Sequence, residues 1–343
     1  MKINSETSRF IKVASIICAA MVVGIHAYNA TGLEQWSPTS RIIGSLSHGL
    51  FMAAVPIFFC ISGYLFFSGA NSIRDVFVKQ KRRIVTLLVP FLSWSAIYCL
   101  FYYVKDGMFK SSDFNWGTLF SDIVFYEYNF PMWFAFQLII YVIIGIPLYY
   151  LKKNKITEIV LLIISAVLGL IGIQFSINVG DTERTLFAFN YFFYYWLGSC
   201  LVDKDWLCWI KEKTKRISVW IWTALLIVFS GLQGILFDIV EFYNNRMLVP
   251  VIAIISVVVI AYIAERTEKS RCLTVLFCVP TMVLYGLHQL VENLVFAVVR
   301  KLMIFPTLAE FFIVFALTLI ITGIAALLIK RIKVLNFLFN GNR

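Results

Sequence analysis

Ionisable residues that stand within long apolar runs are the first candidates for chemistry in this chain. His26 lies in the run MVVGIHAYNA, His48 precedes a second apolar run, and His288 lies in VLYGLHQLV with Glu292 four residues later. Residues four apart share one face of a helix, so His288 and Glu292 form a predicted pair. An imidazole inside a membrane is costly and generally serves proton, ion or substrate chemistry. We therefore expect His26, His288 and Glu292 to be the catalytic residues.

Each of these residues also has a structural interpretation, and the sequence leaves both open. His26 can be a histidine that only hydrogen-bonds a neighbouring helix, although an imidazole left without a partner would be expensive to bury. His48 stands near the edge of its apolar run, where water is within reach. His288 and Glu292 can simply satisfy each other's hydrogen bonds.

A cluster of basic residues in VKQKRRIVTLLVP is the second candidate site. Lys79, Lys81, Arg82 and Arg83 stand directly before an apolar run. Such a cluster either anchors the chain beside anionic lipid head groups or holds the phosphates of a nucleotide-like cofactor. The sequence has neither a P-loop nor a dinucleotide fingerprint, so ATP hydrolysis and hydride transfer are not predicted.

The composition defines the solvent that surrounds these residues. Of 343 residues, 60% are hydrophobic and only 14% are charged, and the mean hydropathy is +0.84. A water-soluble fold of this length does not bury so much apolar surface, so most of the chain must lie in a bilayer. Aromatic residues make up 17% of the chain, as expected for lipid contact and interfacial belts.

Apolar stretches long enough to cross a hydrocarbon core of about 30 Å occur about ten times. Backbone groups in lipid must pair within their own segment, so these stretches are predicted to be helices. The expected fold is an all-α polytopic membrane helical bundle, with residues 1–343 forming a single transmembrane domain and no separate soluble domain. The predicted spans are 10–30, 48–68, 84–104, 133–151, 156–176, 185–202, 217–237, 247–264, 273–299 and 307–329.

The distribution of positive charge predicts the orientation of the bundle. The chain has 30 Lys and Arg residues against 19 Asp and Glu, a net charge of +11. With the N-terminus inside, the outer segments hold few of the basic residues, namely Arg41, Lys105, Lys110, Arg184, Arg246, Arg300 and Lys301. This bias predicts that both termini are cytoplasmic. It explains the basic excess without any nucleic-acid partner. The first helix is expected to be retained rather than cleaved as a signal peptide, because its apolar run is long and no convincing small-x-small cleavage site precedes a soluble domain.

The cysteines give no indication of a disulfide or of a metal site. The cysteines lie in predicted helices or inner segments and lack metal-ligand spacing, so we expect neither a disulfide nor a metal site.

The longest stretch outside the predicted spans, residues 105–132, faces outward and carries acidic and aromatic residues. It is either an acidic, aromatic lip that stacks sugar rings or an interfacial loop with aromatic anchors.

Taken together, these motifs resemble the acyltransferase-3 family of bacterial integral-membrane acyltransferases. The resemblance spans most of the chain: a histidine late in the first helix, VPIFFCISGYLFF in the second, KRRIVTLLVPFLSW leading into the third, and PMWFAFQLIIY opening the fourth. It continues with FFYYWLGSCL in the sixth helix and VLYGLHQLV in the ninth. Each motif is loose, but their order and spacing together are fairly specific.

The resemblance implies a membrane acyltransferase in the bacterial cytoplasmic membrane. Members of the family move acetyl or other acyl groups from cytosolic acyl-coenzyme A to a glycan or a similar acceptor. The expected donor is therefore acetyl-CoA or another acyl-CoA, and the expected acceptor is a hydroxyl of a cell-surface glycan or lipid-linked sugar. Membrane lipids are the remaining expected partners, and no metal is expected.

The family's functional positions map onto residues of this chain. By resemblance, His26 matches the catalytic histidine, His288 matches a histidine of the ninth-helix motif, and residues 79–83 match the loop that meets the acyl donor. Tyr64 and Trp133 match aromatic positions of the motifs. The expected substrate-binding residues are Tyr64, Trp133 and His48, the last of which lies at the outer mouth of the second helix.

One position departs from the family pattern. The family usually has an arginine eleven residues before the histidine, where this chain has Ser15. Eleven residues make about three helical turns, so Ser15 shares a face with His26. Lys12 lies roughly on that face, and its long stem is able to reach the same region, so we count it with the expected donor-binding residues.

Two other classes of function stay open at this stage. One is a proton-coupled transporter or flippase of a lipid-linked sugar or small acid, with His26, His288 and Glu292 as its proton relay. Such transporters often show paired halves with broken helices, and the sequence has no such symmetry. The other is a catalytically inactive membrane module related to the acyltransferases, which the serine at position 15 would suit.

Overall fold

A computed structural model shows an all-α bundle of membrane-length helices, as predicted. It describes residues 3–30, 38–111, 114–179, 182–202, 204–239, 247–267, 279–302 and 307–342. Among these residues, seven helices are long and apolar enough to cross a membrane, and a bent helix pair raises the number to eight. The chain is therefore a multi-pass membrane protein.

The helices follow the chain in the predicted order. They are α1 (Ser5–Ala30), α2 (Pro38–Gly44), α3 (Ala54–Phe67), α4 (Ile73–Lys105), α5 (Trp116–Val124), α6 (Trp133–Ile143), α7 (Gly145–Lys153), α8 (Lys155–Ile171), α9 (Phe189–Cys200), α10 (Trp206–Thr214), α11 (Val219–Ile239), α12 (Val249–Thr267), α13 (Thr281–Leu302), α14 (Thr307–Arg331) and α15 (Lys333–Asn340). A π-helical turn (Ser45–Leu50) and a 3₁₀ turn (Phe51–Ala53) join α2 to α3, and further 3₁₀ turns span Met108–Lys110 and Phe130–Met132. Two strands, β1 (Gln174–Val179) and β2 (Thr182–Ala188), form one antiparallel hairpin.

Every predicted span contains a helix, but the helices within two of the ten predicted spans, 156–176 and 185–202, are not among those of membrane length. The span 156–176 ends as a helix at Ile171, because Gly172 adopts a left-handed conformation (φ 80°) that stops it. Residues 174–179 then alternate polar and apolar side chains, a period of two that favours a strand. The span 185–202 likewise begins within β2 and becomes helical only at Phe189.

The third predicted span begins earlier than expected. A capping box starts α4, with the Ser72 side chain accepting from the Asp75 backbone N–H and the Asp75 carboxylate accepting from the Ser72 backbone N–H. The helix therefore starts at Ile73, and the basic run 79–83 lies on its first turns rather than in a loop. A helix gives these basic side chains fixed and different directions.

The fourth predicted span is broken. α6 and α7 meet at Ile144, where the helix axis bends by 58°. On α4, the Gln80 side chain donates hydrogen bonds to the carbonyls of Val142 (2.9 Å) and Ile143 (2.6 Å), which lie at the break. Backbone groups that the break frees are thus satisfied inside the protein, as lipid requires.

Close helix packing holds α3 against α9. A Cβ at Gly63 would overlap the backbone carbonyl of Tyr195, and a Cβ at Gly198 would overlap that of Cys60. The two glycines thus let the backbones approach reciprocally, as small residues do between membrane helices. Around this pair lies one aromatic core that includes Phe59, Phe66 and Trp196, while a second core joins α1, α4, α6, α12 and α13.

Candidate active site

The structure brings two of the predicted catalytic residues together. The rings of His26 on α1 and His288 on α13 have centroids 5.0 Å apart. His288 is fully buried, whereas His26 is half-buried. The two imidazoles therefore face each other across the α1–α13 contact, and His26 is the ring that retains some accessible surface.

Hydrogen bonding defines the chemical state of His288. Its Nδ1 lies 2.7 Å from the carbonyl oxygen of Tyr285. A carbonyl only accepts, so Nδ1 must carry the hydrogen, and in the neutral ring Nε2 then keeps its lone pair. Within the part of the chain that the structure describes, this Nε2 is buried and has no hydrogen-bond partner. The arrangement leaves a proton acceptor on the ring whose centroid lies 5.0 Å from that of His26.

Glu292 lies one helical turn beyond His288 and is 1% exposed. Its Oε1 has no hydrogen-bond partner, and no cation lies within ion-pair distance among the described residues. Because a buried carboxyl without partners is expensive, it is a strong candidate for a functional role. The predicted pair of His288 and Glu292 thus shares one helix without a hydrogen bond between its members.

Packing between α13 and α4 fixes the direction of these side chains. A Cβ at Gly286 would collide with the indole of Trp94, so glycine permits the two helices to meet there. One turn further along, the hydroxyl of Tyr98 accepts a hydrogen bond from the Leu290 backbone N–H at 2.8 Å. These contacts lie on both sides of His288 in the sequence and hold its turn of α13 in place.

Tyr285 is a site residue that the sequence prediction missed. Its hydroxyl donates to the carbonyl of Pro131, at the turn before α6, while its own carbonyl accepts from His288. The side chain therefore ties the histidine pair to the beginning of α6. A signal was present, because Tyr285 lies three residues before His288 and three-residue spacing places side chains on one helical face.

The basic run separates into members with different environments. The Lys79 ammonium donates hydrogen bonds to two carbonyls at the end of α3, those of Phe66 (3.3 Å) and Ser68. Lys81 and Arg82 are exposed, and Arg83 is half-buried. Arg83 lies near the Tyr195 hydroxyl, which has no hydrogen-bond partner among the described residues.

No acidic side chain in the described ranges lies within ion-pair distance of Arg83. An unpaired guanidinium that is partly withdrawn from water favours an anionic ligand, since its planar fork matches phosphate oxygens. Of the four predicted donor-binding residues in the run, Arg83 therefore has the environment best suited to a phosphate.

On α1, the position of the family arginine carries no charge. The Ser15 hydroxyl donates to the Ile11 carbonyl at 2.7 Å, so it is satisfied within its own helix. Lys12 is exposed. Neither residue forms a described contact with His26, and the charge that the family places on this face is absent from α1 at Ser15.

The predicted substrate-binding residues lie in three different places. His48 is half-buried in the π-helical turn, a type of distortion that is frequent at functional sites. The Tyr64 ring contacts Trp206 edge-on, with centroids 6.1 Å apart. Trp133 begins α6 and packs its ring 4.7 Å from that of Tyr191.

Polar contacts near the middle of α6 and at Glu127 attach the hairpin to the bundle. Gln137 donates to the Thr185 carbonyl at 2.7 Å and accepts from the Ala188 N–H at 3.2 Å. Arg184 forms an ion pair with Glu127. The described residues of the stretch 105–132 thus form a short helix, α5, and turns, and Glu127 joins them to the hairpin. Asp113, one of the acidic residues of this stretch, lies outside the described residues.

Metal-binding groups are not assembled in the described part of the chain. No three His, Cys, Asp or Glu side chains there are placed to hold a metal ion. Cys18, Cys60, Cys99, Cys200 and Cys208 are free thiols, and Cys272 and Cys278 lie outside the described residues.

A multi-pass helical bundle with two facing histidines and a buried glutamate defines an integral-membrane protein with a polar centre in its apolar interior. Comparison with known families then assigns it: residues 9–327 match the acyltransferase-3 family, described as an acyltransferase domain. The match covers nearly the whole chain, and the protein belongs to this family, so it is a membrane acyltransferase. No curated protein and no solved structure is detectably similar to it.

Proposed function

We propose that the protein transfers an acetyl or other short acyl group from cytosolic acyl-CoA to a hydroxyl of a cell-surface or lipid-linked glycan, in the bacterial cytoplasmic membrane. The observation that carries the proposal is the His26–His288 pair. It places the buried His288, whose tautomer the Tyr285 carbonyl fixes, beside the partly exposed His26, and an imidazole that a substrate is able to reach is a group suited to activating a hydroxyl.

His26 is the residue we assign to the reacting atoms. Acting as a general base, it takes the proton of the acceptor hydroxyl while the oxygen attacks the thioester carbonyl, and coenzyme A leaves as its thiol once that proton is returned. Acting as a relay, its ring nitrogen attacks the thioester carbonyl and expels coenzyme A as the thiolate; the acceptor oxygen then takes the acyl group from the ring, and its proton passes to the thiolate. Both routes need a substrate to reach the ring, and the partial exposure of His26 supports this assignment over the buried His288.

His288 and Glu292 are assigned a supporting role: they do not touch the substrate, and they exchange protons or hydrogen bonds in the buried region beside His26. The Tyr285 carbonyl fixes the tautomer of His288, so its Nε2 is able to accept a proton or a hydrogen bond. Glu292 provides a second buried group able to exchange a proton.

The acyl donor is assigned to the predicted cytoplasmic side. Coenzyme A is charged and bulky and does not cross an apolar core of about 30 Å, so only its acyl-bearing arm enters the bundle. Arg83, with Lys81, Arg82 and Lys12 nearer to solvent, supplies positive charge for its phosphates. Lys79 has a second role, because it already caps the carbonyl end of α3.

The test uses isolated membranes that contain the protein, acetyl-CoA labelled in the acetyl group, and a preparation of cell-surface glycan. We expect labelled glycan to form with wild-type protein and not with His26→Ala. A protonophore should leave the transfer unchanged, because acyl transfer does not draw on a proton gradient, whereas a proton-coupled transporter would stop. If the wild-type protein transfers no label to the glycan, the proposal is wrong.

A further inference from the structure

A cavity of about 200 Å³ lies apart from the histidine pair, between the turn that follows α3 and the end of α7. Gly69 and Asn71 form one wall, and Tyr149, Lys152 and Lys153 form the other. The charge bias places both elements at the cytoplasmic end of the bundle. The acyl-transfer chemistry assigned above does not use this cavity.

The charge of the cavity wall is positive. Its described lining residues include two lysines and no aspartate or glutamate. Lys152 is paired with Glu158 at 3.3 Å, and Glu158 is shared with Lys155. No carboxylate among the described residues lies within ion-pair distance of Lys153, whose ammonium lies 4.9 Å from the centre of the Tyr149 ring. A cation–π contact orients an ammonium without neutralising it, so a positive charge is left for an anion.

The wall is also held in position from several sides. The Tyr149 hydroxyl donates to the Asn71 carbonyl at 2.9 Å, which joins the two walls directly. The Asn71 N–H donates to Asp75 at 3.2 Å, and Gly69 adopts a left-handed conformation (φ 68°) in the turn. An anion therefore meets a preformed site and orders few groups on binding.

We propose that this cavity binds a phosphate group, with Lys153 as its principal cation. Two sources present such a group at this end of the bundle. One is the 3′-phosphate of the coenzyme A donor, which rests on the proposed function. The other is the head group of an anionic lipid, whose acyl chains would lie along the exposed apolar face of α8 at Ile156 and Ile163.

The first arm of the test measures binding of coenzyme A and 3′-dephospho-coenzyme A to the purified full-length protein. Wild-type protein should bind coenzyme A roughly 10- to 150-fold more tightly than 3′-dephospho-coenzyme A, the size of one charge-assisted contact. Lys153→Ala should bind both nearly equally. Lys105→Ala is the matched control, since Lys105 makes the same kind of contact with Tyr102, at 5.2 Å, and should keep the ratio.

The second arm compares thermal unfolding in nanodiscs of phosphatidylglycerol and phosphatidylcholine. If the lipid is the source, phosphatidylglycerol should raise the unfolding temperature of wild-type protein and of Lys105→Ala, but not of Lys153→Ala. A response in either arm that depends on Lys153 supports the cavity. If Lys153→Ala behaves as wild type in both arms, the proposal is wrong.

The two proposals fail separately. Absence of acyl transfer together with a lipid effect that needs Lys153 would overturn the proposed function and leave the phosphate site standing. Normal transfer from acetyl-CoA, with neither arm dependent on Lys153, would overturn the phosphate site alone.

Discussion

Glu158 and Glu292 are both almost fully buried, with exposures of 3% and 1%, yet their surroundings are opposite. Glu158 contacts two lysines, Lys152 and Lys155, and its backbone carbonyl accepts a hydrogen bond from the Trp196 indole. Glu292 has no cation within ion-pair distance among the described residues, and one of its carboxyl oxygens has no partner. Removing one partner from a buried ion pair destabilises the fold, whereas a buried carboxyl that has no cation beside it marks a site where another molecule or a proton is expected. The comparison separates a structural end of the bundle from a reactive centre.

The largest effect is expected at the reactive centre itself. His26→Ala should lower the rate of acyl transfer by about 10²- to 10⁴-fold, because the positioned proton acceptor is lost. The thermal unfolding temperature should stay near that of wild type, since His26 is only half-buried. Single-turnover transfer from labelled acetyl-CoA measures the rate, and a variant with wild-type turnover would refute the assignment of His26.

The two glutamates provide the direct test of the comparison. Glu292→Gln keeps the size of the side chain and removes its ionisation, and it should lower transfer by about 10- to 100-fold with little loss of stability. Glu158→Gln should do the reverse, leaving turnover near wild type while lowering the unfolding free energy by about 1–3 kcal/mol, because Lys152 loses its partner. Turnover and thermal unfolding are measured for both variants. An exchange of the two outcomes would show that the division of roles is wrong.

Packing in the structural part predicts a stability effect without a chemical one. Gly198→Ala places a methyl group into the Cys60 carbonyl and should destabilise the fold by about 1–3 kcal/mol. Gly231→Ala on α11 is the matched control, because a Cβ there meets nothing within 4 Å. Yield of folded protein and unfolding temperature report the difference, and equal values for the two variants would contradict the close contact of α3 and α9.

The smallest expected effect concerns the residue that links the histidines to α6. Tyr285→Phe removes the hydroxyl that donates to Pro131 and keeps the ring. Transfer should slow by roughly threefold to tenfold, the range of one ordinary hydrogen bond, with the KM for acetyl-CoA unchanged. A raised KM with a normal kcat would instead place Tyr285 on the donor side.

Sequence reasoning was most successful where one physical signal dominated. Length and hydropathy located a helix in each predicted span, because a bilayer permits few alternatives. The hairpin was missed for the same reason, since its alternating residues lie beside apolar runs that favour a helical interpretation. The early start of α4 was encoded by Ser72 and Asp75, a capping signal that the charge cluster obscured.

The candidate site was only partly predictable. His288 and Glu292 are close in sequence, so helical spacing was enough to pair them, and Tyr285 was recoverable by the same rule. The approach of His26 to His288 joins residues at opposite ends of the chain, and no local pattern encodes it. Within the basic run, the difference between Lys79 and Arg83 depends on the end of α3 and on Tyr195, neither of which adjoins the run in sequence.

The reciprocal contacts of Gly63 and Gly198 have a consequence for movement. Two backbones that touch through glycine leave no side chain whose rotation would let them slide, so α3 and α9 should travel as one body. Any widening that admits a bulky donor must then occur outside the α3–α9 contact, and outside the end of α3 that Lys79 holds to α4. The α3–α9 pair should therefore keep its internal packing while contacts around it change to admit the donor.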